Sequence, residues 1–275
     1  MRVVQKLIVF TDLDGSLLDH HNYQWQAADP AINQLQQLNF PVIINSSKTG
    51  AEIKQLRKQM SLQTPFICEN GAVIHYNHNI TDLSIDQSQT KLFAEPYQKI
   101  QHILRNLQLK HSYQFTGFAD MTTEQLIQST GLDRVSANAA LQREATEPLQ
   151  WQDSEAKLEY FKIELAKQNL QLTQGGRFYH VMSPVNKGDA IQYIIKQYQQ
   201  AEPSTDWLTA GLGDSINDIP MLEQVDYPVL INNPDGNKPD ISHIDNLLIT
   251  EEPGPAGWNS AIFKILHNIT GKDNG

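Results

Sequence analysis

The sequence predicts an α/β fold, with a Rossmann-like parallel-sheet core domain interrupted by an inserted α/β (α+β) cap domain. Two observations carry that reading. At both ends of the 275-residue chain, short apolar runs alternate with helical patterns, the rhythm of parallel strands joined by crossover helices. Between them the rhythm breaks into short helices and extended stretches. The expected domains are core 1–83, cap 84–186 and core 187–275.

The elements follow in order. Leu7–Phe10 is a short apolar run that reads as a buried strand. Ala31, Ile32, Leu35 and Leu38 recur at helical spacing. Pro41 opens a second strand through Ile44, with the proline at a tolerated first position. Lys54–Met60 reads as a helix and Pro65–Cys68 as a third strand. In the insert, a polar stretch follows Thr81, and Ile100, Ile103, Leu104 and Leu107 mark an amphipathic helix. "SYQFTGF" is strand-like, Thr122–Thr130 and Asp133–Arg143 look helical, and "EPLQWQ" looks extended. Leu158, Phe161 and Leu165 share one face of a helix begun at Asp153, and "LQLTQGGRFYHVM" is extended chain broken by Gly175-Gly176. The core rhythm returns with a helix carrying Ala190, Ile191, Ile194, Ile195 and Tyr198. A strand in "WLTAGLGDS", a helix at Pro220–Val225, a strand in "YPVLINN" and a closing helix around Ile262–Leu266 follow.

Composition narrows the class. Hydrophobic residues make up 40% of the chain and the net charge is −10, which argues against a nucleic-acid-coating role. A single cysteine, Cys68, rules out an internal disulfide framework. With no secretory signal and no run long enough to span a bilayer, the expectation is a cytoplasmic protein with no membrane partner. Nine histidines are scattered without metal-ligand spacing, so no zinc site is expected. The sequence leaves oligomeric state open.

Chemistry-bearing residues cluster just after apolar runs. They are Asp12 and Asp14, Ser46-Ser47-Lys48, Glu69-Asn70, and Gly213-Asp214 with Asp218. In an open parallel sheet, ligands bind outside the carboxyl ends of the strands, so the topology gathers these clusters into one crevice, and Lys187 at a helix start can join them. Four aspartates held close would repel and raise each other's pKa. A hard divalent cation resolves that conflict, and Mg2+ suits carboxylates, waters and a phosphate. One carboxylate is then free to attack phosphorus. Taken singly, each feature has a bland reading: Asp-Gly marks turns, "GDSIND" is a helix start, and Lys187 is a solvated helix residue. The conjunction at strand ends favours a site.

These motifs resemble the haloacid dehalogenase superfamily. Its first motif matches Asp12-Leu13-Asp14-Gly15-Ser16, its second Ser46, its third Lys187 and its fourth Gly213-Asp214-Ser215-Ile216-Asn217-Asp218. The insert and "ENGA" at Glu69–Ala72 resemble the Cof-type branch. "SSKT", "REATEP", "GGRFYHV" and "GPAGWN" are similar to the mannosyl-3-phosphoglycerate phosphatase family over nearly the whole chain, with Ile216 standing where many relatives carry proline. The resemblance implies a Mg2+-dependent phosphatase acting on a small phosphorylated sugar-glycerate. It implies Asp12 as nucleophile, Asp14 as acid and base, and Asp12, Asp14, Asp214 and Asp218 as the metal set. Ser46 and Lys187 would hold phosphate oxygens. Asn70, Asn217, Arg143, Arg177 and His180 are further substrate-binding candidates. Arg177, after two glycines, is the expected partner of a glycerate carboxylate. For Trp258 a buried anchor for the last helix is favoured over a sugar-stacking platform. A glucosyl analogue, a phosphomannomutase and a non-catalytic phosphometabolite-binding protein remain as rivals.

Overall fold

The computed structural model describes residues 4–76, 90–174, 178–234 and 240–271. Its core contains β1 (Val4–Thr11), α1 (Asp29–Gln37), β2 (Val42–Ile44), α2 (Gly50–Gln59), β3 (Phe66–Cys68), β4 (Val73–His75) and β5 (Thr90–Leu92). The insert contributes α3 (Tyr97–His111), β6 (Phe115–Gly117), α4 (Thr123–Thr130), α5 (Arg134–Ala140), β7 (Thr146–Trp151), α6 (Glu155–Ala166), β8 (Gln171–Gln174) and β9 (Tyr179–Met182). The chain returns to the core with α7 (Lys187–Ala201), β10 (Thr205–Gly213), α8 (Ile219–Leu222), β11 (Tyr227–Asn232), β12 (Leu248–Pro253) and α9 (Gly254–Gly271).

Five strands form a parallel sheet in the order β12-β11-β10-β1-β2. β1 lies inside it and is buried on both faces, which explains its unbroken apolar run. Alternate side chains divide between two cores. Leu7 and Val9 pack with Ala31, Ile32 and Leu35 of α1 and with Trp258 and Ile262 of α9. Ile8 and Phe10 pack with Ile191 and Ile194 of α7 and with Met221 and Leu222 of α8. Trp258 is fully buried, and its indole Nε1 donates to Thr11 Oγ1 at 2.9 Å. The anchor reading of that residue therefore fits the structure.

Two differences from the sequence reading stand out. Pro65–Cys68 does not become a full rung of the parallel sheet. β3 touches the end of β2 through a single parallel bridge, Asn45 to Ile67, and pairs antiparallel with β4, which pairs with β5. The fifth parallel strand, β12, carries Glu251 and Glu252 on an edge, where one side needs no apolar partner.

The insert folds as an antiparallel sheet, β6-β7-β9-β8. One face carries Phe115, Leu149 and Val181 against Ile100, Leu104 and Leu107 of α3 and Phe161 and Leu165 of α6. β5, inside the expected 84–186 insert, still pairs with β4, and α3 is already tied to the insert by Tyr97 N–H donating to Glu144 O at 2.9 Å.

Candidate active site

β1 delivers the first carboxylate. The Asp12 N–H donates to Leu212 O at 2.9 Å, extending the β1–β10 ladder by one residue. Asp12 therefore emerges beside Gly213, which ends β10, and Asp214, which follows it. Two glycines let these groups approach. A Cβ on Gly15, which has φ +81°, would stand 2.5 Å from an Asp214 oxygen. One on Gly213 would stand 2.4 Å from the Asp218 side chain. Any side chain at either position would force the carboxylates apart.

The third motif arrives from the other side of the cap. Asn186 caps α7, accepting from the N–H groups of Gly188 and Asp189. That fixes Lys187 at the helix start with its side chain fully buried. Lys187 Nζ donates to Asp12 Oδ1 and Asp218 Oδ1, each at 2.6 Å. Burial opposes its charge, and the two carboxylates more than offset that, so its pKa is raised. Asp218 Oδ2 also accepts from the backbone N–H groups of Asp214 and Ser215 at 3.1 and 3.0 Å. Asp218 is thus a fully used internal anchor.

Oxygens of Asp12, Asp214 and Asp218 lie within 4.8 Å of one another. Burial, with the charges of Asp218, Asp214 and Asp14 added, pushes the Asp12 carboxyl well above the usual range, against the pull of Lys187. Burial and Asp218 push Asp214 up to about 6. The cluster is thus short of positive charge, and its donors are all hard oxygens. That donor set fits a hard divalent cation, which would favour the ionised carboxylates. Asn233, at the end of β11, donates from Nδ2 to Asp214 Oδ2 at 2.6 Å and orients it. The sequence reading did not single out Asn233, although it shows the same signal as the others: a polar residue following an apolar run.

Asp14 sits across the turn. Its Oδ2 pairs with Lys48 Nζ at 2.8 Å, while its Oδ1 is buried and accepts no hydrogen bond. Burial opposes the Lys48 charge, but Asp14 and Glu52 outweigh it, and the ammonium is pushed up to about 12. Ser46 follows the β2 strand end, and its Oγ accepts from the Lys48 N–H at 3.3 Å. Asn70, with left-handed φ of 59°, donates its N–H to Ser46 O at 3.0 Å and accepts from Asn217 Nδ2 at 3.2 Å. Strand ends β1, β2, β3 and β10 thus bring Asp12, Asp14, Ser46, Asn70, Asp214, Asn217 and Asp218 together with Lys187.

The candidates from the insert are placed differently. Arg143 is buried at the junction. Its Nε donates to Thr146 O at 3.3 Å, its Nη2 to Ser47 O at 3.5 Å and to the Thr146 hydroxyl, and it faces Glu69 Oε2 at 3.6 Å. Glu69 in turn accepts from the Glu144 N–H (2.7 Å), the Ala145 N–H (3.0 Å) and Thr146 Oγ1 (2.8 Å). The structure therefore engages Arg143 in a clamp between "ENGA" and "REAT". Nearby, His75 Nε2 meets Glu144 Oε1 at 2.7 Å beside buried Cys68. His180 pairs with Pro148 in the cap sheet. Burial, then Arg143, pushes it down to about 3, so it is neutral near pH 7. Its Nδ1 is buried without a hydrogen bond. Arg177 lies outside the described residues.

A parallel sheet that gathers aspartates at its strand ends, interrupted by an antiparallel insert, defines a class of enzyme. The pattern of the haloacid dehalogenase-like hydrolases matches residues 9–239, and the chain belongs to that family. It is a phosphoric monoester hydrolase, and nearly full-length relatives sharpen the picture. A glucosyl-3-phosphoglycerate/mannosyl-3-phosphoglycerate phosphatase of Methanococcoides burtonii is 35% identical over 98% of this chain and 99% of its own. One of the same name from Persephonella marina is 34% identical over 96% and 98%. Solved structures share the fold. A haloacid dehalogenase-like hydrolase from Bacteroides thetaiotaomicron has a TM-score of 0.69 at 14% identity, over 95% of this chain and 99% of that one. A sucrose-phosphatase from Synechocystis, solved with sucrose and phosphate, has 0.61 at 17%, over 95% and 98%. Among the described residues, no helix is long and apolar enough to cross a membrane.

Proposed function

We propose that this chain hydrolyses 2-O-mannosyl-3-phosphoglycerate to mannosylglycerate and phosphate, with Mg2+ bound and through an aspartyl phosphate. The observation that carries the substrate is the similarity, over nearly the full length, to phosphatases named for glucosyl- and mannosyl-3-phosphoglycerate. Asp12, Asp214 and the Asp14 backbone carbonyl would hold the cation, with Asp218 in support. When bound, Mg2+ would supply charge neutralisation for the phosphoryl oxygens and keep Asp12 ionised.

Asp12 then attacks phosphorus in line, forming an O–P bond as the ester P–O bond breaks. Asp14, having taken up a proton from solvent before the chemical step, gives it from Oδ1, the oxygen without a partner, to the departing alkoxide. Asp14 next takes a proton from water as that water attacks the aspartyl phosphate, which frees Asp12 and inorganic phosphate. Lys187 and Ser46 counter charge on the phosphoryl oxygens. The glucosyl ester is the second reading, favoured by the double name of both relatives.

The test is a phosphate-release screen, with and without Mg2+, on mannosyl- and glucosyl-3-phosphoglycerate, 3-phosphoglycerate and the mannose monophosphates. A glycosyl-3-phosphoglycerate should lead by about tenfold or more in kcat/KM, the margin that one or two well-placed contacts supply. Equal turnover of bare sugar phosphates would overturn the substrate. Phosphoryl shift between mannose positions without released phosphate would point to a mutase.

A further inference from the structure

We infer that Lys48 binds the carboxylate of the leaving group, and is thereby a specificity-determining residue for a phosphoglycerate ester. The inference rests on the proposed substrate class.

In-line displacement puts the nucleophile and the proton donor on opposite sides of phosphorus. The two crevice lysines divide the same way. Lys187 donates to Asp12, the nucleophile, and to Asp218. Lys48 donates to Asp14, the acid, at 2.8 Å. One cation therefore belongs to the attacking side and the other to the leaving-group side. Asp14 divides its own two oxygens: Oδ2 carries Lys48, and Oδ1 stands buried and unbonded. An ester oxygen taking its proton from Oδ1 lies one carboxyl group away from the Lys48 ammonium. In a 3-phosphoglycerate ester the carboxylate carbon is three bonds from that ester oxygen, which is the span such an arrangement bridges.

The remaining geometry agrees. The Lys48 side chain is 16% exposed, so an anion meeting it is largely shielded from water. The ammonium lies 5.5 Å from the Tyr23 ring centroid, which flanks it without neutralising it. Of the insert's arginine candidates, Arg177, the expected carboxylate partner, lies outside the described residues, and Arg143 is engaged with Glu69, Thr146 and Ser47. Lys48 follows Ser46 by two residues, and its own N–H donates to Ser46 Oγ. The same short loop thus carries a phosphoryl contact and a leaving-group contact.

The test compares two esters that differ only at the carboxylate: 2-O-mannosyl-3-phosphoglycerate and 2-O-mannosylglycerol 3-phosphate. The variants are Lys48→Met and Lys48→Arg, with Lys48→Gln measured if the methionine variant does not fold. Wild type should favour the carboxylate ester. Lys48→Met should lose about 100-fold in kcat/KM on that ester and about tenfold or less on the other, as expected for a shielded charge-assisted contact. Lys48→Arg should recover part of the preference. Equal losses on both esters would overturn the inference, because Lys48 would then serve Asp14 or the phosphoryl group common to both. A wild-type preference that survives intact in Lys48→Met would overturn it while leaving the proposed substrate standing. No preference in wild type would also overturn the inference, while the proposed substrate stands or falls by its lead over bare sugar phosphates in the phosphate-release screen.

Discussion

Crevice and insert place their polar groups by different rules. In the crevice, the carboxylates are met by side chains from other elements: Asp12 and Asp218 by Lys187 at the start of α7, Asp214 by Asn233 after β11, and Asp14 by Lys48 after β2. The parallel sheet itself sets those positions, because every strand ends at the same edge. In the insert, the sheet is antiparallel and only the alternation of its side chains decides what faces where. His180 is buried with an unbonded Nδ1, and Arg143 is held by the junction. The crevice positions thus follow from the topology, whereas each insert position follows from the packing of a single side chain.

The largest expected effect removes the proposed nucleophile of the crevice. Asp12→Asn keeps the shape but replaces an oxygen nucleophile with an amide, so turnover should fall by about 10⁴-fold or more. Beryllium fluoride, an acyl-phosphate mimic, should protect wild type from thermal unfolding and leave the variant unchanged. Appreciable steady phosphate release from clean Asp12→Asn would break the contrast at its root.

A second effect lies where the two regions meet. Glu69 accepts three hydrogen bonds from residues 144–146 and faces Arg143. Glu69→Gln swaps one acceptor for a donor that must point at other donors. The cost should be about 1–3 kcal/mol, or roughly 2–4 °C in melting temperature for each kcal/mol. Hydrolysis of the glycosyl ester should suffer more than that of a small aryl phosphate. An unaltered melt would show that the clamp is not under tension in solution.

The smallest effect is electrostatic. Asp214 is raised from 3.8 to about 6, and Asp12 is raised as well. In the metal-free protein these groups hold protons more tightly folded than unfolded. The Asp214 penalty on folding is therefore absent below about pH 4, grows between about 4 and 6, and is full above that, and Asp12 acts in the same direction. A divalent cation held by these carboxylates would relieve that penalty, so the stabilising shift in melting temperature on adding Mg2+ should be larger at pH 7 than at pH 5. A shift independent of pH would separate the cation from these carboxylates.

The core was readable because burial on both faces of β1 and β10 produces apolar runs that stop abruptly at the crevice, leaving Asp12 and Asp214 conspicuous. β12 was not, because an edge strand with Glu251 and Glu252 lacks that signal. β4 and β5 are three-residue strands, too short to show a period. Lys48 stood in the Ser46-Ser47-Lys48 cluster marked for the crevice but was given no role of its own, since its partner Asp14 is met only in space. Glu69 was marked for the crevice, but its backbone turns left-handed, with φ 53°, and its carboxylate joins the junction. No periodicity foretells a contact between residues 69 and 145.

The pairing of β1 has a consequence for how the chain is made. Its full eight-residue register is with β10, from Val4 with Thr205 to Thr11 with Leu212, whereas its pairing with β2 covers only Val9 to Thr11. A ribosome releasing the chain from its amino end delivers the whole insert before β10 exists. Closing a loop of that length carries an entropic cost that only long-range contacts repay. β1, with the proposed nucleophile after it, is therefore made before the insert and meets β10 only after the insert has been made. During synthesis it waits beside an insert that already holds the partners for its own core, so the phosphoryl site is assembled only when the sheet closes.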